Sequence, residues 1–246
     1  MEEPLPIRIL IHGASGRMGR ALLRLVGERP ELQLVAAVSR SGQPLAEAPA
    51  GVPVLPVDRL AEAPDFDLAI DFSLPEAFAP LVAACRAKGA GLVSGTTGLS
   101  EAQVAAMDEA SELVPVLWSA NFSVGVAVLR ALVHQAAAAL PGWDADIVES
   151  HHVHKKDAPS GTALSLGQAV EQGRGSAPHY ASLRCGDIVG EHLVQLTGAG
   201  ERLELVHRAS NRDIFARGAL EAAVRLSGRG PGRYDFGELL LAGGRS

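Results

Sequence analysis

Apolar residues in the first half of the chain come in short runs, each ended by a polar or glycine-rich turn. Positions 7–11, 34–38, 68–72, 91–94 and 114–118 read as buried strands. Between them the apolar spacing becomes helical. Met18, Leu22, Leu23, Leu25 and Val26 mark one inner face, 75–88 forms a second helix, and Ser100 with Gln103 makes a capping box that opens a third. Strands alternating with helices predict an α/β fold built on a doubly wound parallel sheet. Beyond an apolar helix over 123–140 the pattern changes. Segments 146–149, 191–196 and 202–207 are strand-like, the last two turned by Gly198 and Gly200, and one helix starts near Ala163 and runs to Val170. Long antiparallel segments with one helix predict a separate, smaller α+β substrate domain. An amphipathic helix over 213–227 returns to the first domain. The predicted domains are therefore 1–123 completed by 212–246, and 124–211. Gly173, Gly175 and Pro178 predict a flexible loop over 172–180.

Composition narrows the choices. With 246 residues, 47% hydrophobic and only 4% aromatic, the core must be made of Ala, Val and Leu, which suits helices packed on a parallel sheet. A net charge of -6 argues against general nucleic-acid binding, so any anion must be met by a local basic pocket. The two cysteines, Cys85 and Cys185, form no Cys-x-x-Cys pair and fit a reducing, cytoplasmic setting as packing residues. No apolar run has membrane-spanning length, and Met1-Glu2-Glu3-Pro4 lacks the basic start of a signal peptide.

The first strand runs into Gly13, Ala14, Ser15, Gly16, Arg17, Met18 and Gly19. Strand, glycine-rich turn and helix open a Rossmann-like dinucleotide-binding unit, although the spacing is G-x-x-G-x-x-G. Gly13 permits a tight turn, Gly16 lets backbone approach a pyrophosphate, and Gly19 lets the helix lie close to the sheet. The second strand ends at Ser39-Arg40 with no acidic residue to repel a 2′-phosphate, so Arg40 predicts NADPH over NADH; the plainer reading is an ordinary exposed arginine. Ligands bind beyond the carboxyl ends of such strands. The turns at Ser73, at Gly95, Thr96 and Thr97, and at Ser119, Ala120, Asn121 and Phe122 are candidate cofactor contacts, with turn chemistry as the alternative.

The stretch 149–163 carries three histidines and two lysines in six residues, His151, His152, His154, Lys155 and Lys156, followed by a helix start. Asp157 or Ser160 caps that helix, and Pro159 sits where its missing N–H costs nothing. The amides of Ser160, Gly161 and Thr162 then face outward at the positive end of the helix dipole, a geometry that holds anions. A solvated charged loop has no need of three histidines together. A metal site is disfavoured by the adjacent lysines. An anionic-substrate site with an acid/base group is the reading that remains.

These residues resemble those of the 4-hydroxy-tetrahydrodipicolinate (dihydrodipicolinate) reductase family of the diaminopimelate and lysine pathway. The resemblance rests on Gly16-Arg17-Met18-Gly19, Gly95-Thr96-Thr97-Gly98, Ala120-Asn121-Phe122-Ser123-Val124-Gly125, the block from His151 to Ala163, and Gly186-Asp187-Ile188-Val189-Gly190-Glu191-His192. It implies a two-domain homotetrameric oxidoreductase, its second domain binding a small dicarboxylate and joining subunits. That enzyme reduces a cyclic, doubly carboxylated imine with NADPH or NADH. By position, His151 matches the family's proton donor/acceptor and Lys155 its proton donor. His152, Gly161 and Thr162 match substrate contacts. Gly13 to Met18, Arg40, Gly95 to Thr97 and Ser119 to Phe122 match nucleotide-binding positions, and no metal is implied. Ser39 stands where many members carry an acid, His12 where a small residue is common, and the segment after Gln172 is shorter than in many members. Two rivals are another NADP-dependent reductase of a small dicarboxylate and a non-catalytic nucleotide-sensing protein; the His-Lys block speaks against the second.

Overall fold

A computed structural model describes residues 5–242. The N-terminal residues 1–4, on which the signal-peptide reading rests, lie outside the described residues. The chain divides into two compact units, Met1–Phe122 with Phe215–Ser246, and Ser123–Ile214.

In the first unit, β1 (Ile7–His12), β2 (Leu32–Ser39), β3 (Val54–Pro56), β4 (Leu68–Asp71), β5 (Gly91–Ser94), β6 (Pro115–Trp118) and β11 (Gly232–Tyr234) form one sheet in the order β11-β6-β5-β4-β1-β2-β3. Every pairing is parallel. Consecutive residues Ile9, Leu10 and Ile11 are all fully buried, so both faces of the sheet are covered and the strand needs no polar alternation. Helices α2 (Phe78–Lys88) and α3 (Glu101–Ser111) supply Leu81, Val82, Cys85, Met107 and Ala110 to the core that receives Leu10, Ala69, Leu92 and Val116. Ser100 and Gln103 form the capping box of α3 in both directions. The order reverses direction at β1, between β2 and β4, which is the switch point where such sheets open a crevice.

In the second unit, α4 (Val124–Ala139) and α5 (Gly161–Arg174) pack against each other and against a four-stranded sheet of order β10-β9-β7-β8. Its strands are β7 (Asp144–His151), β8 (His179–Arg184), β9 (Gly190–Gly198) and β10 (Glu201–Ala209). The sheet is mixed: β7 runs antiparallel to β9 but parallel to β8, where antiparallel pairing alone was expected. The expected loop over 172–180 is mostly structured. Gly173 lies inside α5, Gly175 ends that helix at φ 80°, and β8 begins at His179. A Cβ on Gly173 would stand 2.6 Å from the His134 carbonyl oxygen and 2.9 Å from the Ala138 amide nitrogen. That glycine marks close helix packing, and a helix breaker carries the same letter. Among the described residues no helix is long and apolar enough to cross a membrane.

Candidate active site

In the first unit, the candidate nucleotide-binding residues follow the carboxyl ends of β1, β2, β5 and β6. Gly13 takes φ 78°, and a Cβ there would meet the Phe72 carbonyl oxygen at 2.5 Å. Gly16 opens α1 (Arg17–Leu25) with extended backbone and no side-chain cap, and Ser15, Gly16 and Arg17 are exposed. Gly19 has a different neighbour from the one expected: a Cβ there would strike the Gly13–Ala14 turn, 2.5 Å from Ala14 Cα. It lets the helix fold back on the turn itself. Ala14 is buried and Met18 half-buried.

Arg40 is exposed at the end of β2, on an open groove of about 1010 Å³ walled by Pro56, Val57, Leu60, Pro80 and Ala84. The first carboxylate after β2 is Glu47, which Arg20 already engages at 2.8 Å. At the end of β6, the Ser119 hydroxyl donates to the Asn121 carbonyl and accepts from the Asn121 amide, a tight turn that leaves Ala120 exposed. Phe122 is buried against Phe72 and Phe236, so only its backbone is available to a ligand.

Beneath these turns sits a network that periodicity did not indicate. Asp71, fully buried, accepts from the Ser94 and Thr96 hydroxyls at 2.7 Å each and from the Ser73 amide at 3.1 Å, and it contacts His12 Nδ1 at 2.8 Å. Burial pushes the Asp71 carboxyl up, but His12 and the hydroxyl and amide donors outweigh it and hold it below the ordinary range. Thr96 therefore turns its hydroxyl inward, while Thr97 is exposed. His12, for which the sequence alone offers no account, is a hydrogen-bond partner of the kind a buried carboxylate needs.

In the second unit, β7 alternates. Ala145, Ile147, Glu149 and His151 are buried, and Asp146, Val148 and Ser150 point the other way. Glu149 is fully buried and heavily engaged. Arg184 donates to its two oxygens at 2.9 and 3.0 Å, the Ser160 amide donates at 3.3 Å, and its Oε2 makes a short hydrogen bond with His151 Nδ1. Burial alone would raise the Glu149 carboxyl; Arg184, Ser182 and His151 overturn that and bring it to about 2. Arg184 also donates to the carbonyls of Lys155 and Asp157, at 3.2 and 2.6 Å.

His192, opposite Glu149 on β9, is buried with its ring edge-on to His151 at 5.2 Å and its Nε2 3.2 Å from the Ser160 hydroxyl. Burial, then the proximity of His151, lowers it to about 4. Ser160, and not Asp157, caps α5 through the Ala163 amide, and Pro159 lies one residue outside the helix. The Ser160 amide is spent on Glu149, so it does not face outward as expected; Gly161 is exposed at the first turn. The Lys155 ammonium lies 2.8 Å from both oxygens of Asp157. His152 Nε2 is 3.1 Å from the Arg212 guanidinium, and burial, then Arg212, lowers its affinity for a proton. Lys156 is exposed.

Glu149, Arg184, His192 and Arg212 are the residues that reading the chain missed. The i, i+2 spacing of Glu149 and His151 on one strand face was a usable signal for the first. His192 stood in the Gly186–His192 motif but was given no role; Arg184 and Arg212 come from a strand and a loop far along the chain, and nothing local marks them.

The parallel sheet, its switch point and the glycine turn define a Rossmann-type dinucleotide-binding protein carrying a second unit with a cationic, histidine-rich site. Family models described as dihydrodipicolinate reductase, N-terminus, and dihydrodipicolinate reductase, C-terminus, match residues 7–122 and 125–240. The chain belongs to the dihydrodipicolinate reductase family, whose members are NAD(P)H-dependent oxidoreductases. It is 64% identical over 236 residues to the 4-hydroxy-tetrahydrodipicolinate reductase of Stenotrophomonas maltophilia (strain R551-3), covering 96% of this chain and 98% of that one. It is 60% identical over 237 residues to the enzyme of the same name from Xanthomonas campestris pv. campestris (strain B100), with the same coverage. Among solved structures, a dipicolinate-bound dihydrodipicolinate reductase from Paenisporosarcina sp. TG-14 has the same fold, with a TM-score of 0.82 at 24% identity over 96% of this chain and all of that one.

Proposed function

We propose that the protein reduces the cyclic, doubly carboxylated imine of the diaminopimelate and lysine route to tetrahydrodipicolinate, with NADPH preferred over NADH. The observation that carries this reading is the linked set of His151, His152, Lys155 and Arg212 beside the start of α5, in a unit of the chain distinct from the nucleotide turns. The Lys155 ammonium and the Arg212 guanidinium, with imidazole donors beside them, suit a dianion better than a neutral ligand.

The residues at the nucleotide turns fit the cofactor. Gly13 and Gly16 present no Cβ to a pyrophosphate, and Arg40 stands where a 2′-phosphate would be read, on a groove that Asp58 also lines. Gly13 to Met18, Arg40, Gly95 to Thr97 and Ser119 to Phe122 would hold it, Thr96 and Phe122 through backbone. When bound, the reduced nicotinamide supplies hydride to a ring carbon conjugated to the imine.

The chain's own groups do the rest. The first-turn amides of Gly161 and Thr162 hold one substrate carboxylate, aided by the helix dipole. Arg212 and His152 meet the second. Lys155 leaves Asp157, a pair exposed enough to be worth little, and donates a proton to the reduced ring. That one proton balances the hydride, and His151 Nε2 is the alternative group to deliver it or to restore it to Lys155. A positioned acid contributes on the order of a hundred- to ten-thousand-fold in rate.

The assembly is a homotetramer in this reading, and its setting is the cytoplasm, in keeping with two free cysteines. Val148, Leu193, Val206 and Leu183 share the face of the second sheet opposite the buried side chains of β7. Leu183 is 54% and Val206 42% exposed, an apolar strip suited to a second copy. The deciding assay follows loss of reduced-nicotinamide absorbance with the imine, NADPH and NADH run side by side. No oxidation of either cofactor above the rate without enzyme would overturn the reading.

A further inference from the structure

Glu149 lies outside every role assigned above, yet groups from three parts of the second unit meet on its carboxylate. His151 lies two residues along the same strand, Arg184 comes from β8, and the Ser160 amide from the cap of α5. Through Arg184 the same carboxylate reaches the carbonyls of Lys155 and Asp157. A fully buried carboxylate with no exit to water is costly unless each lone pair is used, and here hydrogen bonds reach both oxygens. A carboxylate on Nδ1 also selects a tautomer: the proton stays on Nδ1, and Nε2 is left as the exchanging nitrogen.

A second, separate observation concerns that nitrogen. Gly190 on β9 is the residue whose Cβ, were there one, would stand 3.0 Å from His151 Nε2 and 3.3 Å from Cδ2. The glycine is extended, with no left-handed backbone to explain it. Its missing side chain keeps the Nε2 edge of the imidazole open.

We infer that Glu149 is the positioning residue of this site. It orients His151 through Nδ1 and, through Arg184 and Ser160, sets the Lys155 carbonyl and the α5 terminus in register with it, while Gly190 leaves Nε2 accessible. This rests on the reductase reading of His151 and adds a residue that the family resemblance did not assign. Glu149 touches no substrate, and it acts only through other groups. The charged and titratable groups around His151 are Glu149 on its own strand, Arg184 on β8, His192 on β9 with His207 beyond it on β10, and His152 and Lys155 in the following segment; α5 contributes only the neutral Ser160.

The test is Glu149→Gln in the full-length protein, measured as kcat, KM for the imine, Kd for NADPH and the pH profile of kcat. The substitution removes the carboxylate that holds the proton on His151 Nδ1, so the pH profile of kcat changes shape, kcat falls on the order of a hundredfold or more, and the NADPH Kd stays within about twofold. A wild-type pH profile with near-wild-type kcat overturns the inference, as does NADPH binding that weakens as much as turnover. Should Glu149→Gln lose its fold by circular dichroism, Gly190→Ala decides. It leaves the bonds of Glu149 to Arg184 and Ser160 in place and crowds only the Nε2 edge of His151, so turnover should fall at least tenfold with unchanged NADPH binding, and unchanged turnover would overturn the inference. Wild-type protein inert toward the imine defeats the functional reading instead, which keeps the two failures apart.

Discussion

Glu149 and His192 are both buried in the second unit, and both titrate below their ordinary ranges. Each favours the folded state only while deprotonated. His192, lowered from 6.5 to about 4, contributes in full above pH 6.5 and loses that contribution as pH falls toward 4. Glu149, lowered from 4.5 to about 2, contributes in full above 4.5 and is lost as pH falls toward 2. Melting temperature should therefore decline in two stages on acidification. His192→Asn should flatten the first stage, between pH 6.5 and 4, and leave the second; an unchanged first stage would show that His192 does not drive it. At the substrate residues, Lys155→Ala and His151→Ala should each lower kcat by about a hundred- to ten-thousand-fold with little effect on NADPH affinity. Equal loss of both would remove them from the chemistry. Arg40→Ala should weaken NADPH several-fold and leave NADH use nearly unchanged, because only NADPH carries the 2′-phosphate.

At the scale of elements, glycines mark where backbones touch. Gly13 combines φ 78° with the Phe72 carbonyl at 2.5 Å from a would-be Cβ. Gly13→Ala should cost about 1–3 kcal/mol and abolish nucleotide binding, because the turn that presents the amides must move. Gly173 is a control of the same kind in the other unit. Gly173→Ala pushes α5 off the His134 carbonyl and should cost about 1–3 kcal/mol in thermal unfolding, with NADPH Kd unchanged. The starts of α3 and α5 were legible because Ser100 and Ser160 bond amides three residues ahead, an interaction local in sequence. Strand β8 was not legible. Its burial is slight, its apolar residues few, and its direction comes from β7 beside it.

At the scale of the whole molecule, the open face of the second sheet bears on assembly. Replacing Val206 by Asp in the strip it shares with Leu193 and Val148 should shift light-scattering mass from four chains toward one or two. A monomeric wild type would remove the tetramer from the account.

What the chain determined by itself was whatever depends on neighbours in sequence: the alternation of β and α, the glycine turn after β1, the serine caps, and the crowding of His151, His152 and Lys155 into one short stretch. Those features arise from periodicity and from backbone hydrogen bonds a few residues apart. Only the tertiary structure decided that Asp71 meets His12, Ser94 and Thr96, that Glu149 meets Arg184 and Ser160, and that Arg212 lies against His152. Such pairings join residues from different strands and loops. Their energies depend on burial and on the geometry of three-dimensional neighbours, and neither is written in the order of the residues.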